Sequence, residues 1–154
     1  MRIGLNALTR PAILLGLMLL PVVAASSVVA GELQLEALLV WGSNDPQPPD
    51  PKLKKVCPEV EKKLKCLPFK WSHFYEVNRV KFSVAEGETQ KVTMSKDCVV
   101  SVKNLGNANI EACLTGKGER TCKISRSLPK GEMLVTGGNA PNLTGWFVVL
   151  RQVE

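Results

Sequence analysis

The chain has 154 residues and a formal net charge of +6. With residues 1–30 set aside as a leader, 124 residues remain, carrying 18 basic and 14 acidic side chains, a net of +4. That length suits one domain with its own core. The charge balance favours solubility and a weak attraction to anionic surfaces. It is too small and too scattered along the chain to argue for a nucleic-acid partner.

Residues 1–30 have the pattern of a secretory signal peptide. Arg2 and Arg10 supply a basic start, and Ile13–Ala25 is a short apolar run. Val28-Val-Ala30 then places small residues ahead of Gly31, where signal peptidase needs them. A cut after Ala25 is the alternative. The apolar run is short for a span of about 20 residues, and no cysteine near the cut offers a lipid anchor. The expectation is export to the periplasm or the extracellular space, with no transmembrane segment after cleavage.

Glu32–Trp41 opens the mature chain. Leu33, Leu35, Ala37, Leu39 and Trp41 share a face by period two, while Leu38 and Val40 make the other face apolar as well. Leu, Glu and Ala would also suit a helix, but the alternation favours a strand, covered on both sides. Gly42–Pro51 holds four prolines and must be a loop. Pro58–Leu67 fits a helix. Pro58 suits its first position, Val60, Leu64 and Leu67 form one apolar stripe, and Glu59–Lys63 and Glu61–Lys65 are i,i+4 pairs. Its lysines are expected to be a solvated face. An aromatic cluster, Phe69–Tyr75, leads into a strand over Glu76–Val84. Gln90–Met94 is a short strand.

From Cys98 to Leu128 three β-rich runs are separated by the turns Gly106-Asn-Ala-Asn109 and Gly116-Lys-Gly-Glu119. This is the mark of an antiparallel meander. Met133–Thr136 follows as a strand, Gly137–Asn142 as a loop, and Gly145–Val153 as a strongly apolar closing strand. Leu35, Leu39, Phe147 and Val149 are expected to be buried inside. Trp146, Val148 and Leu150 would then face the other way, partly under the helix. About eight short strands and one short helix, without βα alternation, predict an all-β antiparallel β-sandwich over residues 31–154.

Trp41-Gly-Ser-Asn-Asp45, Phe74-Tyr-Glu-Val-Asn78 and Trp146-Phe-Val-Val-Leu150 resemble a group of small secreted bacterial β-rich proteins of unknown function. The resemblance spans most of the mature chain. It implies a compact secreted domain and brings no activity with it. In a eukaryotic host Asn142-Leu-Thr144 would be a glycosylation acceptor.

Five cysteines remain after cleavage: Cys57, Cys66, Cys98, Cys113 and Cys122. An oxidising compartment favours disulfides. Pairing outward from Gly116 and Glu119 sets Cys113 opposite Cys122, with Cα atoms about 4.5–5.5 Å apart, within bridging range. Cys57 and Cys66 flank the helix, about 13 Å apart along its axis, and cannot bridge if the helix forms. Cys98 is expected to be an inert thiol. A single histidine and the lack of a Cys-x-x-Cys argue against zinc.

No nucleophile elbow or phosphate loop occurs. His73 with Cys98 is the one conceivable dyad, and nothing in the sequence specifies its geometry. Trp71, His73, Phe74 and Tyr75 are the candidate binding residues, as a rim platform for a glycan or a protein. The competing role for these aromatics is to plug one end of the sandwich. The expectation is a secreted, non-enzymatic binding or envelope-interaction protein without metal or cofactor. A carbohydrate-binding module with an exposed row of Trp71, Phe74 and Tyr75, or a small hydrolase, is the alternative.

Overall fold

The computed structural model describes residues 31–153. The expected signal peptide lies outside the described residues. In chain order the elements are β1 (Leu33–Ser43), β2 (Lys54–Lys55), α1 (Pro58–Lys65), β3 (His73–Val84), β4 (Thr89–Ser95), β5 (Cys98–Gly106), β6 (Asn109–Gly116), β7 (Glu119–Ser127), β8 (Met133–Asn139) and β9 (Gly145–Gln152). They form two antiparallel sheets. One has the order β2-β3-β1-β9-β8, the other β4-β5-β6-β7.

β1 and β9 lie inside the five-stranded sheet, as their apolar sequences require, because an apolar edge strand would invite aggregation. Leu35, Ala37 and Leu39 on β1 and Val148 and Leu150 on β9 point to the four-stranded sheet. There they meet Val100, Val102, Ile110 and Leu114. Leu38 and Val40 on β1 and Phe147 and Val149 on β9 point the opposite way. They pack beneath α1 against Val60 and Leu64. The architecture is three layers: helix, five-stranded sheet, four-stranded sheet. The expected facing of β9 is thereby reversed. Phe147 and Val149 lie under the helix, and Val148 and Leu150 fill the space between the sheets. Register decides it: Leu38 pairs with Val149 and Leu39 with Val148, so each β9 residue shares the face of its β1 partner.

The expected helix ends at Lys65 rather than Leu67. Glu61–Lys65 forms at 2.7 Å. Glu59 instead takes Arg151 at 2.8 Å, and Lys63 approaches Glu132 at 4.0 Å. Gly137-Gly-Asn139, expected in a loop, extends β8. A Cβ at Gly137 would collide with the Trp146 carbonyl oxygen, so glycine is what lets β8 lie this close to β9.

The meander turns are as read. Lys117 and Gly118 both have positive φ, 50° and 83°, the signature of a type I′ hairpin. The expected pairing of Cys113 with Cys122 does not occur. Thr115 pairs with Arg120, but Leu114 pairs with Cys122 and Cys113 with Lys123, because Thr121 is an extra residue in β7. Without that bulge Lys123 would point into the core, and Cys122 and Ile124 to solvent. Burial of Ile124 and Cys122 wins over the simple register. The two cysteines therefore occupy opposite faces of the sheet, and all five described cysteines are free thiols.

Candidate functional site

Among the described residues, two clefts on the five-stranded side are built around strand ends. The first, about 390 Å³, runs between the segment Pro68–Trp71 and the edge strand β8. It is lined by Phe69, Trp71, Val135, Gly138 and Phe147. Gly42 and Gly145 are cross-strand partners, and neither has a side chain. Trp71 lies in the trough they leave: a Cβ on Gly145 would come within 2.6 Å of the indole Cη2. The indole Nε1 donates to the Leu143 carbonyl at 2.7 Å, which ties the β8–β9 loop to the aromatic group. Phe147 is the centre of the group, 4.4 Å from Phe69 and 5.2 Å from Trp71 between ring centroids. These are contact distances for tilted and edge-on aromatic pairs.

The expected binding residues divide. Trp71 is 9 % exposed, and Phe74 and Tyr75 are each 2 % exposed. Phe74 joins the core beneath α1. Tyr75 is buried under the proline loop, its hydroxyl donating to the Pro46 carbonyl at 2.7 Å. His73 is half-buried at the start of β3, opposite Ser43. Phe74 and Tyr75 serve the interior, Trp71 lines the first cleft, and the three form no exposed row. Phe69, expected in the aromatic cluster, and Phe147, expected to be buried, line the open cleft with Trp71, although neither was expected as a binding residue. Their signal was the pair of facing glycines, which only the register reveals.

The second cleft, about 450 Å³, is lined by Glu59, Lys81, Lys130, Glu132 and Arg151 among others. It borders a chain of ion pairs. Glu36 on β1 is almost wholly buried. It accepts from Arg151 Nε at 2.6 Å and from Arg79 Nη1 at 3.1 Å. Arg79 also donates to both Glu76 oxygens, at 3.0 and 2.6 Å, and Arg151 to Glu59 at 2.8 Å. The hydrogen bonds to Glu76 hold the Arg79 guanidinium above its ordinary range. Burial works against the charge on Arg151, and the hydrogen bond and charge of Glu36 outweigh it, so this guanidinium is held above its usual value too. Each of the three carboxylates is engaged by an arginine.

Cys98 belongs to the core between the sheets. Burial pushes its thiol upward, the opposite of what a nucleophile needs. Cys122 contacts the Thr136 hydroxyl at 3.0 Å. Among the described residues no group of three histidine, cysteine or acidic side chains is placed to hold a metal ion. Among them, too, no helix is long and apolar enough to cross a membrane. The chain matches no family model, no curated protein and no solved structure.

Proposed function

We propose that this is an exported, non-enzymatic binding protein that works in the cell envelope or outside the cell. The observation that supports it is the contrast between the two kinds of side chain at its clefts. Of the two acids that line the charged cleft, Glu59 is held by Arg151 and Glu132 lies 4.0 Å from Lys63, while the aromatic cleft beside β8 is open along an edge strand. An edge strand offers unpaired backbone groups, and an adjoining apolar cleft offers side-chain pockets. Together they suit an extended protein segment better than a reacting small molecule. The glycan reading rests on an exposed row of Trp71, Phe74 and Tyr75, and of these Trp71 alone lines the aromatic cleft.

The test is to express the full chain in a bacterial host, with a photocrosslinking amino acid at Asn139 on β8 or, as control, at Gln90 on β4. Fractionation and mass spectrometry should find a product that begins at Gly31 outside the cytoplasm. Crosslinks to an envelope or extracellular protein should come from Asn139 and not from Gln90. An unprocessed chain confined to the cytoplasm would overturn the export half of this reading. Equal crosslinking from both positions would overturn the β8 cleft.

A further inference from the structure

The charge that is scattered along the sequence is sorted in space. Residues 89–130, which build the four-stranded sheet and its exit, hold eight basic and three acidic side chains; the remainder of 31–153 holds ten of each. Most of the positive excess therefore belongs to one sheet and its turns, with Lys130 at the exit lining the second cleft. Its register shows where that excess points. Lys91, Ser101, Cys113 and Lys123 form one row across the four strands. Lys103 lies in the next row, and Arg120 in the row of Thr115. Inward positions of the same strands belong to the core, so these rows face solvent. All four cations are exposed. Glu111 is the anion among them, 3.1 Å from Lys123. Residues 89–130 contain no Phe, Tyr, Trp or His.

From this we infer that the outer face of the four-stranded sheet docks on an anionic lipid bilayer, which would supply a partner for the envelope role proposed above. A broad sheet face without aromatic side chains has nothing to stack on bases or sugar rings. Both clefts lie on the other sheet. What the face presents is a spread of flexible ammonium groups and one guanidinium, which matches a lateral array of phosphates. Polybasic surfaces bind anionic membranes by this kind of summed attraction, each cation strengthening binding roughly fivefold, and it fades with added salt. Docked this way, the protein would turn β8 and its cleft away from the membrane plane, toward a soluble partner.

The probe is the chain from Gly31 onward, which contains both cores complete. Its co-sedimentation is measured with phosphatidylglycerol–phosphatidylcholine vesicles, with pure phosphatidylcholine vesicles, and with a duplex oligonucleotide. The variants are Lys91→Glu/Lys103→Glu/Arg120→Glu and, with the same change of charge, Lys52→Glu/Lys54→Glu/Lys55→Glu. A Gln version of the first set guards against misfolding, checked by thermal unfolding. The expectation is salt-sensitive binding to the anionic vesicles alone, weakened at least about a hundredfold by the first set and several-fold or less by the second. Failure to bind, equal binding to neutral vesicles, equal loss in both triple variants, or preference for the duplex would each overturn it. A protein that is exported and processed yet ignores vesicles sinks this inference and leaves the export reading standing. One that binds vesicles but stays unprocessed in the cytoplasm does the reverse.

Discussion

The two sheets solve different problems with the same secondary structure. The five-stranded sheet is covered on both faces, by α1 on one side and the other sheet on the other. It holds Trp41 and Trp146, the paired glycines and the buried Glu36. The four-stranded sheet has one buried face and one wet one, and alternates cleanly along β5, from buried Val100 and Val102 to the more exposed Ser101 and Lys103. Coverage on both sides demands that polar groups be balanced internally, and Glu36 with its two arginines is the outcome. Coverage on one side leaves the outer face free to carry net charge, and Lys91, Lys103, Arg120 and Lys123 stand there against Glu111.

The largest break in this comparison comes from β9, which contributes to both cores. Ending the chain at Thr144 deletes Phe147, Val148, Val149 and Leu150, all buried. Each is worth about 1.5–3 kcal/mol. Against a typical stability of about 5–15 kcal/mol, the truncated chain should show no cooperative thermal transition. A sharp melting curve from it would mean that the layers are not interdependent.

Next comes the contrast in ion pairs. Glu36→Ala strands Arg79 and Arg151 beside an apolar layer. The expected loss is about 3 kcal/mol, at the lower end for a buried pair, because Glu76 and Glu59 still hold the guanidinium groups. Glu111→Ala on the wet face should cost less than about 1 kcal/mol. Denaturant titration of the two variants gives the ratio directly. Similar losses would contradict the idea that only one sheet keeps its charges dry.

The architecture was legible where one residue pattern sufficed. Alternation on β1 and in the meander placed strands and turns, and the prolines placed the loop. Double-sided apolarity of β1 correctly signalled cover on both faces. The rest was hidden because it depends on pairs distant in sequence. Glu36 looks like an ordinary surface residue until Arg79 and Arg151, 43 and 115 positions away, close over it. The face that α1 would cover was likewise open until register joined β9 to β1. At the candidate site, Trp71, Phe74 and Tyr75 stand out as a unit, but the burial of Trp71 follows from Gly42 and Gly145, which no local pattern connects.

A smaller effect separates buried from exposed thiols. Cys98 is held protonated by its apolar surroundings, so its folded-state pKa lies above that of the unfolded chain, near 8.5. Below about pH 8.5 both states keep the proton and the thiol does not favour unfolding. As pH rises past that value, the unfolded state loses its proton first, and stability falls until the folded thiol also ionises. Cys98→Ala should flatten the fall in stability on the alkaline side relative to the unaltered chain. In the native state a thiol reagent should modify exposed Cys66 promptly and leave Cys98 untouched until unfolding. Equal labelling rates would place Cys98 outside the core.

The smallest expected effect tests the bulge that separated Cys113 from Cys122. Thr121 is exposed and is the residue in excess between Arg120, which pairs with Thr115, and Cys122, which pairs with Leu114. Arg120 points outward and Cys122 inward, so removing Thr121 leaves a strand that alternates without interruption. Every later β7 partner is kept, from Cys113–Lys123 to Asn109–Ser127. Deletion of Thr121 should therefore change stability by no more than about 1 kcal/mol, although most deletions within a strand would flip all that follows. Cys122 would remain beside Thr136, and Cys113 would remain on the outer face, unbridged. Two measurements decide the matter: the denaturation midpoint of the deletion variant, and its thiol count under oxidising conditions. A large destabilisation would show that the bulge itself supports β7. Formation of a Cys113–Cys122 disulfide would show that β7 had slipped, with Lys123 driven toward the core.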